Sequence, residues 1–277
     1  MALASTSKAQ HVLVLPPSGS NMALFYECTD LSDCVIVTER DGQARSCHKV
    51  VLSAASAVFR AMFVSSDMLE ASSGRVVIKE AEPEVVQLLL QHMYGLEVQV
   101  AVQQVAALYQ LADQYQVQAL LQQLVDAVSA TPFQLETLVQ LMPKAAALGD
   151  TATQLRTQLA QHAASHIADF VLKQPECVKQ WGLLEVQLLM QSPAVSACQG
   201  LLLAAIWLAG GAERLQHWSG MQQKVQLELL QYEQLRYLQQ QQDVLELPGL
   251  AAALFRECIR RMDKAIRYPY VNTSVFN

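Results

Sequence analysis

Charge is scarce in this chain: only 16% of its 277 residues are Asp, Glu, Lys or Arg, and no Lys/Arg cluster stands out. With a net charge of −6, that scarcity argues against a nucleic-acid surface, because phosphate neutralisation needs a concentrated basic face. Long apolar runs are missing as well. The most apolar, Leu201 to Ala209, has nine residues, whereas a bilayer-spanning helix needs about 20, so the sequence reads as that of a soluble protein. The six cysteines lack paired spacing, which excludes a disulfide framework and fits free thiols in a reducing compartment. Neither a P-loop nor G-x-G-x-x-G occurs, so nucleotide binding has no support. Residues 1–21 contain no acid, but they also lack Arg, and their apolar run His11 to Leu15 is too short for a signal peptide. They read as a flexible leader with an edge segment.

What the chain has in abundance is apolar residues, 52% of the total, enough for well-filled cores. The densest early stretch runs from His48 to Phe63. At helical spacing Val51, Ala55, Val58 and Met62 share a face, and Leu52, Phe59 and Phe63 widen it beyond one stripe. A helix this apolar is covered on more than one side. It is a domain's central helix or half of a subunit interface.

Around it the pattern alternates between strand and helix. Asp33 to Thr38 is β-rich, Asp41-Gly42 signals a hairpin, and Ala44 to Cys47 returns into the central helix. Asp67 is placed to cap a short helix around Met68-Leu69-Glu70, with Glu70 at its third position, and Ser72-Ser73-Gly74 ends it. Val76 to Ile78 reads as a third strand. Pro83 and Gly95 bracket a helix, and further helices are expected over Gln103–Tyr115 and Gln118–Val128. Thr131-Pro132 closes this α+β region. Beyond it only helices are expected: Leu135–Leu148, Ala152–Leu172, Leu183–Met190, Cys198–Ala209, Met221–Leu238 and Leu250–Ile266, a bundle with short turns.

The residues Asp33-Cys34-Val35-Ile36-Val37, Cys47-His48-Lys49-Val50-Val51-Leu52 and Phe59-Arg60-Ala61-Met62-Phe63 resemble the BTB/POZ signature. Val76-Val77-Ile78, Glu82-Pro83-Glu84-Val85, Met93-Tyr94-Gly95 and Leu108 to Tyr115 continue the likeness in order. The helical remainder resembles the BACK domain that follows BTB in many ubiquitin-ligase adaptors, through Leu184 to Pro193, Leu202 to Trp207 and the closing helix. The expected layout is a leader at 1–21, a BTB domain at 22–130, an all-α BACK-like domain at 131–268 and a tail at 269–277. The resemblance implies a non-catalytic substrate adaptor that dimerises and docks a cullin, the scaffold of a ubiquitin ligase. It raises the effective concentration of a protein substrate. The alternative is a BTB scaffold in signalling or transcription with no ligase attached. No cofactor, metal, membrane or nucleic acid is implied. Cytoplasm and nucleus are both open, since no basic nuclear-import run occurs.

By the same resemblance, cullin docking falls on a hydrophobic-x-acidic motif after the central helix, here Met68-Leu69-Glu70. An adaptable Met side chain suits an apolar pocket and the acid fixes register. Dimer contacts are expected from Met22, Leu24 and Phe25, in a first helical segment shorter than in many family members. Asp33, His48 and Lys49 are expected near the dimer groove, with a buried Asp–Lys pair setting geometry more than stability. No Kelch, MATH-like or zinc-finger segment is present to read a substrate, so pairing with a second BTB protein is open.

Other constellations carry less. Ser46 and Lys49 match S-x-x-K, but neither Ser-Asp-Asn nor Lys-Thr-Gly accompanies them, so a strand-to-helix junction is the expectation. His162 and His166 fall four apart on one expected helix without the Glu of H-E-x-x-H or a third ligand. Cys28, Cys34, Cys47 and His48 lack zinc spacing and are expected as small buried residues. Trp181, Trp207 and Trp218 are expected in the bundle core.

Overall fold

In the computed structural model, the described residues are 12–17, 21–65, 68–222, 227, 230–247 and 249–267. The chain forms two compact units, the first running through Leu159 and the second beginning at Ala160.

The first unit is mixed. Strand β2 (Cys34–Thr38) lies between β3 (Ala44–Cys47), antiparallel, and β4 (Arg75–Ile78), parallel, in the order β3-β2-β4. Its central position suits its sequence, since Cys34, Ile36 and Thr38 are buried on one face and Val37 on the other. The expected hairpin is present: Gly42 takes the left-handed region at φ 64°, and its N–H donates to Thr38 O at 2.9 Å.

A second, two-stranded sheet pairs β1 (Val12–Leu15) antiparallel with β5 (Val98–Ala101). The edge segment of the leader is therefore a strand, with Leu13 and Leu15 buried and Val12 and Val14 exposed. β5 was not anticipated, although Val98 and Val100 alternate with Glu97 and Gln99 in the sequence.

The expected single central helix is two. α1 (Lys49–Ala55) and α2 (Ala57–Val64) meet at Ser56, whose backbone is extended at φ −137° and ψ 125°. The serine hydroxyl explains the break. It accepts the Phe59 N–H at 3.0 Å, capping α2, and donates to Tyr115 O at 2.5 Å, tying the joint to a later helix end. Val51, Leu52 and Phe59 are buried while Val50 and Val64 are exposed, so the unit covers only part of this apolar surface.

After α3 (Leu69–Ser73) and β4 come α4 (Pro83–Met93), α5 (Val102–Gln114), α6 (Gln118–Ala130) and α7 (Leu135–Ala147). Pro83 opens α4, and Gly95 follows it at φ 83°, as the sequence implies. α5 packs against α4, α6 and α7, so α7 belongs to this first unit.

Among the described residues no strand lies beyond Ala101. The expected long helix from Ala152 to Leu172 is broken into α8 (Thr153–Ala164) and α9 (Ile167–Lys173), with Ser165 and His166 in a turn between them. His166 is thus a helix cap, and the two imidazoles do not share one helix face.

In the second unit, α9, α10 (Pro175–Val178) and α11 (Leu183–Gln191) surround α12 (Ala197–Leu208). Every residue from Gly200 to Leu208 is buried, as an all-round apolar helix must be. Ser196 and Gln199 close its start reciprocally, Ser196 Oγ accepting the Gln199 N–H at 3.3 Å and Gln199 Oε1 accepting the Ser196 N–H at 2.9 Å. The tryptophans are in the core: Trp207 Nε1 donates to Trp181 O at 2.8 Å, and Trp181 meets Phe170 edge-on with centroids 4.9 Å apart.

The unit ends with α13 (Trp218–Gln222), α14 (Tyr232–Leu238), α15 (Gln242–Leu245) and α16 (Leu250–Arg267). The middle of the expected Met221–Leu238 helix and the tail from 268 lie outside the described residues.

Candidate docking surfaces

Two neighbouring pieces of the first unit carry the expected site residues. The first centres on His48, where β3 turns into α1. His48 is buried, and its backbone N–H donates to the Tyr94 hydroxyl at 2.9 Å. Nε2 lies 2.9 Å from Asp30 O, which can only accept, so the ring proton is assigned to Nε2. Nδ1, 2.9 Å from the same Tyr94 oxygen, then accepts the phenolic proton. Burial pushes the Tyr94 pKa up, keeping that proton in place. Phe25 lies edge-on to His48, centroids 5.4 Å apart.

Asp33 and Lys49 do not form the expected buried ion pair. Asp33 is exposed, and its Oδ1 accepts the Lys49 backbone N–H at 2.7 Å, where the first turn of α1 has unpaired donors. The Lys49 ammonium instead donates to Ala71 O at 3.1 Å and sits 5.6 Å from the Phe63 ring centroid. It is thereby also committed away from Ser46.

Exposed apolar side chains gather around this junction. Leu24 is 88% exposed, beside Phe25, and Met22 is half-exposed in the same 3-10 turn, Asn21–Phe25. Sequence reasoning missed two more. Val50 follows Lys49 on the open side of α1, and Leu31 follows Asp30 with a positive φ of 62°. A leucine in the left-handed region is costly, and here it presents its side chain to solvent.

The second piece is α3. Met68 is its cap residue, without a side-chain cap bond, and Glu70 is the second helical residue rather than the third. Asp67, the expected cap, lies outside the described residues. Met68 is 44% and Leu69 81% exposed, and Glu70 is half-buried.

Three ties hold this five-residue helix in place: the Lys49–Ala71 bond, packing on α2, and Gly74. Gly74 ends α3 at φ 64°, its O accepts the Val35 N–H at 2.7 Å, and a Cβ there would lie 3.0 Å from Asp33 O. Glycine is the residue that fits. The result is a short helix fixed to the sheet with Met68 and Leu69 turned outward and Glu70 half-buried beside them. Elsewhere in the unit, a groove of about 720 Å³ runs between α5 and α7, lined by Gln103, Gln110, Gln114 and Lys144 over an alanine floor. Met68 to Glu70 do not line it.

Cys34 and Cys47 are cross-strand neighbours on β2 and β3, and burial raises their thiols to about 12 and about 11. They are structural, inert thiols. Among the described residues no group of three or more His, Cys, Asp or Glu side chains is placed to hold a metal ion, and no helix is long and apolar enough to cross a membrane.

The model of the BTB/POZ domain family matches residues 22–131, which span both surfaces. This chain carries a BTB/POZ domain. The BTB region is similar to Kelch-like protein 7 of Homo sapiens, 38% identical over 79 residues, or 28% of this chain and 13% of that protein. It is also similar to Kelch-like protein 40a of Danio rerio, 35% identical over 71 residues, or 26% and 11%. Kelch-like protein 40 of Xenopus laevis is 29% identical over 85 residues, or 31% and 13%. The chain thus spans about an eighth of the length of these relatives, within the BTB domain alone. The second, helix-rich unit has the fold class expected of a BACK-like region.

Proposed function

We propose that this protein is a non-catalytic adaptor of a cullin-based ubiquitin ligase, in which the BTB domain docks the cullin through Met68, Leu69 and Glu70. The observation that carries the reading is the exposure of Met68 and Leu69 on a helix pinned to the sheet. A Met needed only for the core would be buried; this one is available to a partner's apolar pocket. Leu69, the more exposed of the two, adds apolar area, and Glu70 supplies a charge that fixes register.

The same domain dimerises through Met22, Leu24 and Phe25 and the edge of the Asp33–His48–Lys49 junction. Leu31 and Val50 extend that apolar surface. The helical second unit acts as a BACK-like spacer that holds a protein substrate, or a second BTB chain that binds one, near the ligase.

The test is binding of the purified chain to the N-terminal domain of the third cullin, beside a Met68→Ala/Glu70→Lys double variant. The variant alters a solvent-facing helix and stays folded and self-associated, yet loses at least about tenfold in affinity, roughly 1.4 kcal/mol. Equal binding by both forms assigns docking to another surface. No binding by either leaves the BTB scaffold without a ligase as the account.

A further inference from the structure

The order β3-β2-β4 makes β3 an edge strand, and among the described residues only β2 pairs with it. The direction of its backbone groups follows from β2. Val35 and Glu39 donate their N–H groups toward β4, to Gly74 O and Ile78 O, while Thr38 donates to Gln43 O on the β3 side. With the register Ile36↔Arg45, alternation turns the N–H and C=O of Arg45 toward β2 and those of Ala44 and Ser46 toward the open edge. The edge is short, four residues, but its backbone is not otherwise blocked. It holds no proline or lysine, and the Arg45 side chain is folded back to Thr38 Oγ1 at 2.9 Å and to Asp41 at 3.3 Å.

A cleft of about 260 Å³ runs beside all four β3 residues and is lined also by Tyr26, Glu27 and Thr29, with the buried Leu90 and Tyr94 beneath. That volume is below the 300–1,000 Å³ or so typical of small-molecule sites. It suits one inserted side chain. The half-buried Tyr26, which packs edge-on against the buried Tyr94 ring at 5.6 Å, gives it an aromatic side. Glu27 is exposed at its rim and held at a positive φ of 58°, the kind of backbone outlier that clusters at functional positions.

We infer that the open edge of β3 receives an extended peptide strand from a partner protein, with an apolar side chain in the cleft beside Tyr26 and a Lys or Arg beside Glu27. Main-chain bonds to Ala44 and Ser46 supply affinity, and the cleft and Glu27 supply selection, the division of labour in β-strand addition. This surface is separate from Met68–Glu70, so the inference stands whether or not a cullin docks there.

The probe is a displayed library of random 12-residue peptides selected on the full chain, with enriched peptides resynthesised and titrated by fluorescence anisotropy. Ser46→Pro removes one outward N–H at a position where an edge strand tolerates proline, and circular dichroism checks that it folds. Enriched peptides carry a basic residue next to an apolar one. They bind Ser46→Pro at least about tenfold more weakly, and they lose binding when N-methylated at alternate amides but not at those between. Glu27→Lys, which leaves β3 untouched, weakens the same peptides. The inference is overturned if no peptide is enriched, if Ser46→Pro and wild type bind equally, or if methylation at successive amides has equal effect. Self-association of the wild type that Ser46→Pro abolishes would assign the edge to a second copy of this chain and overturn the peptide.

Discussion

α1–α2 and α12 begin from similar sequences and meet different fates. Both are apolar nearly all round, and each is the densest apolar stretch of its unit. α12 is enclosed: Leu201, Leu203, Ala204 and Ala205 are fully buried, and the surrounding helices come from its own unit. In α1–α2, Leu52 and Phe59 are fully buried, yet Val50 and Val64 are 72% and 76% exposed. The difference teaches that an all-round apolar helix states how much cover is needed, not who provides it. The chain covers α12 itself. It leaves part of α1 open beside Leu24, Leu31 and the Lys49 junction, where a second chain completes the cover in the proposed account.

The sharpest way to break this comparison is to hollow α12. Leu203→Ala removes a fully buried side chain and should cost about 2–5 kcal/mol, read as a lower urea midpoint of the second unit. If it costs no more than an exposed substitution, α12 is not the core of that unit. Next comes the joint in the other helix. Ser56→Ala deletes both the cap to Phe59 and the bond to Tyr115 O, an expected loss of about 1–3 kcal/mol. Ser56→Asn, which keeps a capping acceptor, should lose less in helix capping while crowding a buried site.

A pH scan gives a smaller effect on the same unit. Burial lowers the His92 pKa from 6.5, with Gln123 opposing. Because the folded value lies below the unfolded one, the unfolded chain takes up its proton first as pH falls. The contribution of His92 is fully present above about 6.5 and is lost as pH falls toward the folded value. The melting temperature should therefore drop between about pH 7.5 and 5.5, and less in His92→Gln. Cys34 and Cys47 act at the other end. Their raised folded values mean stability is lost as pH climbs from 9 toward about 11 and 12. Smallest of all is Val50→Ala, expected within about 0.5 kcal/mol in the isolated chain. It sharpens the comparison through another readout, weaker self-association by sedimentation.

Much of this was legible in the sequence. The Asp41-Gly42 hairpin, the Pro83-to-Gly95 helix and the buried tryptophans follow from local chemistry that tertiary context did not overturn. What was missed depended on distant partners. Ser56 looks like one polar interruption of a helix until Tyr115 O, 59 residues away, accepts a hydrogen bond from its hydroxyl. Ser165–His166 gave no proline or glycine to announce a break. β5 is four residues long and becomes a strand because β1 pairs with it from the far end of the domain. At the candidate site, Met68, Leu69 and Glu70 were placed by resemblance, and the structure adds the exposure of Met68 and Leu69. Leu31 and Val50 were overlooked because an isolated exposed aliphatic carries no sequence signal. The Asp33–Lys49 pairing was misjudged because opposite charges suggested an ion pair, whereas the backbone N–H of a helix start was the nearer need.

The most direct test of the account is a calorimetric titration of the wild-type chain with the N-terminal domain of the third cullin. The account predicts saturable binding at one cullin domain per chain, with a dissociation constant well below ten micromolar. Absence of binding at tens of micromolar, which corresponds to only about −6 kcal/mol, would contradict it.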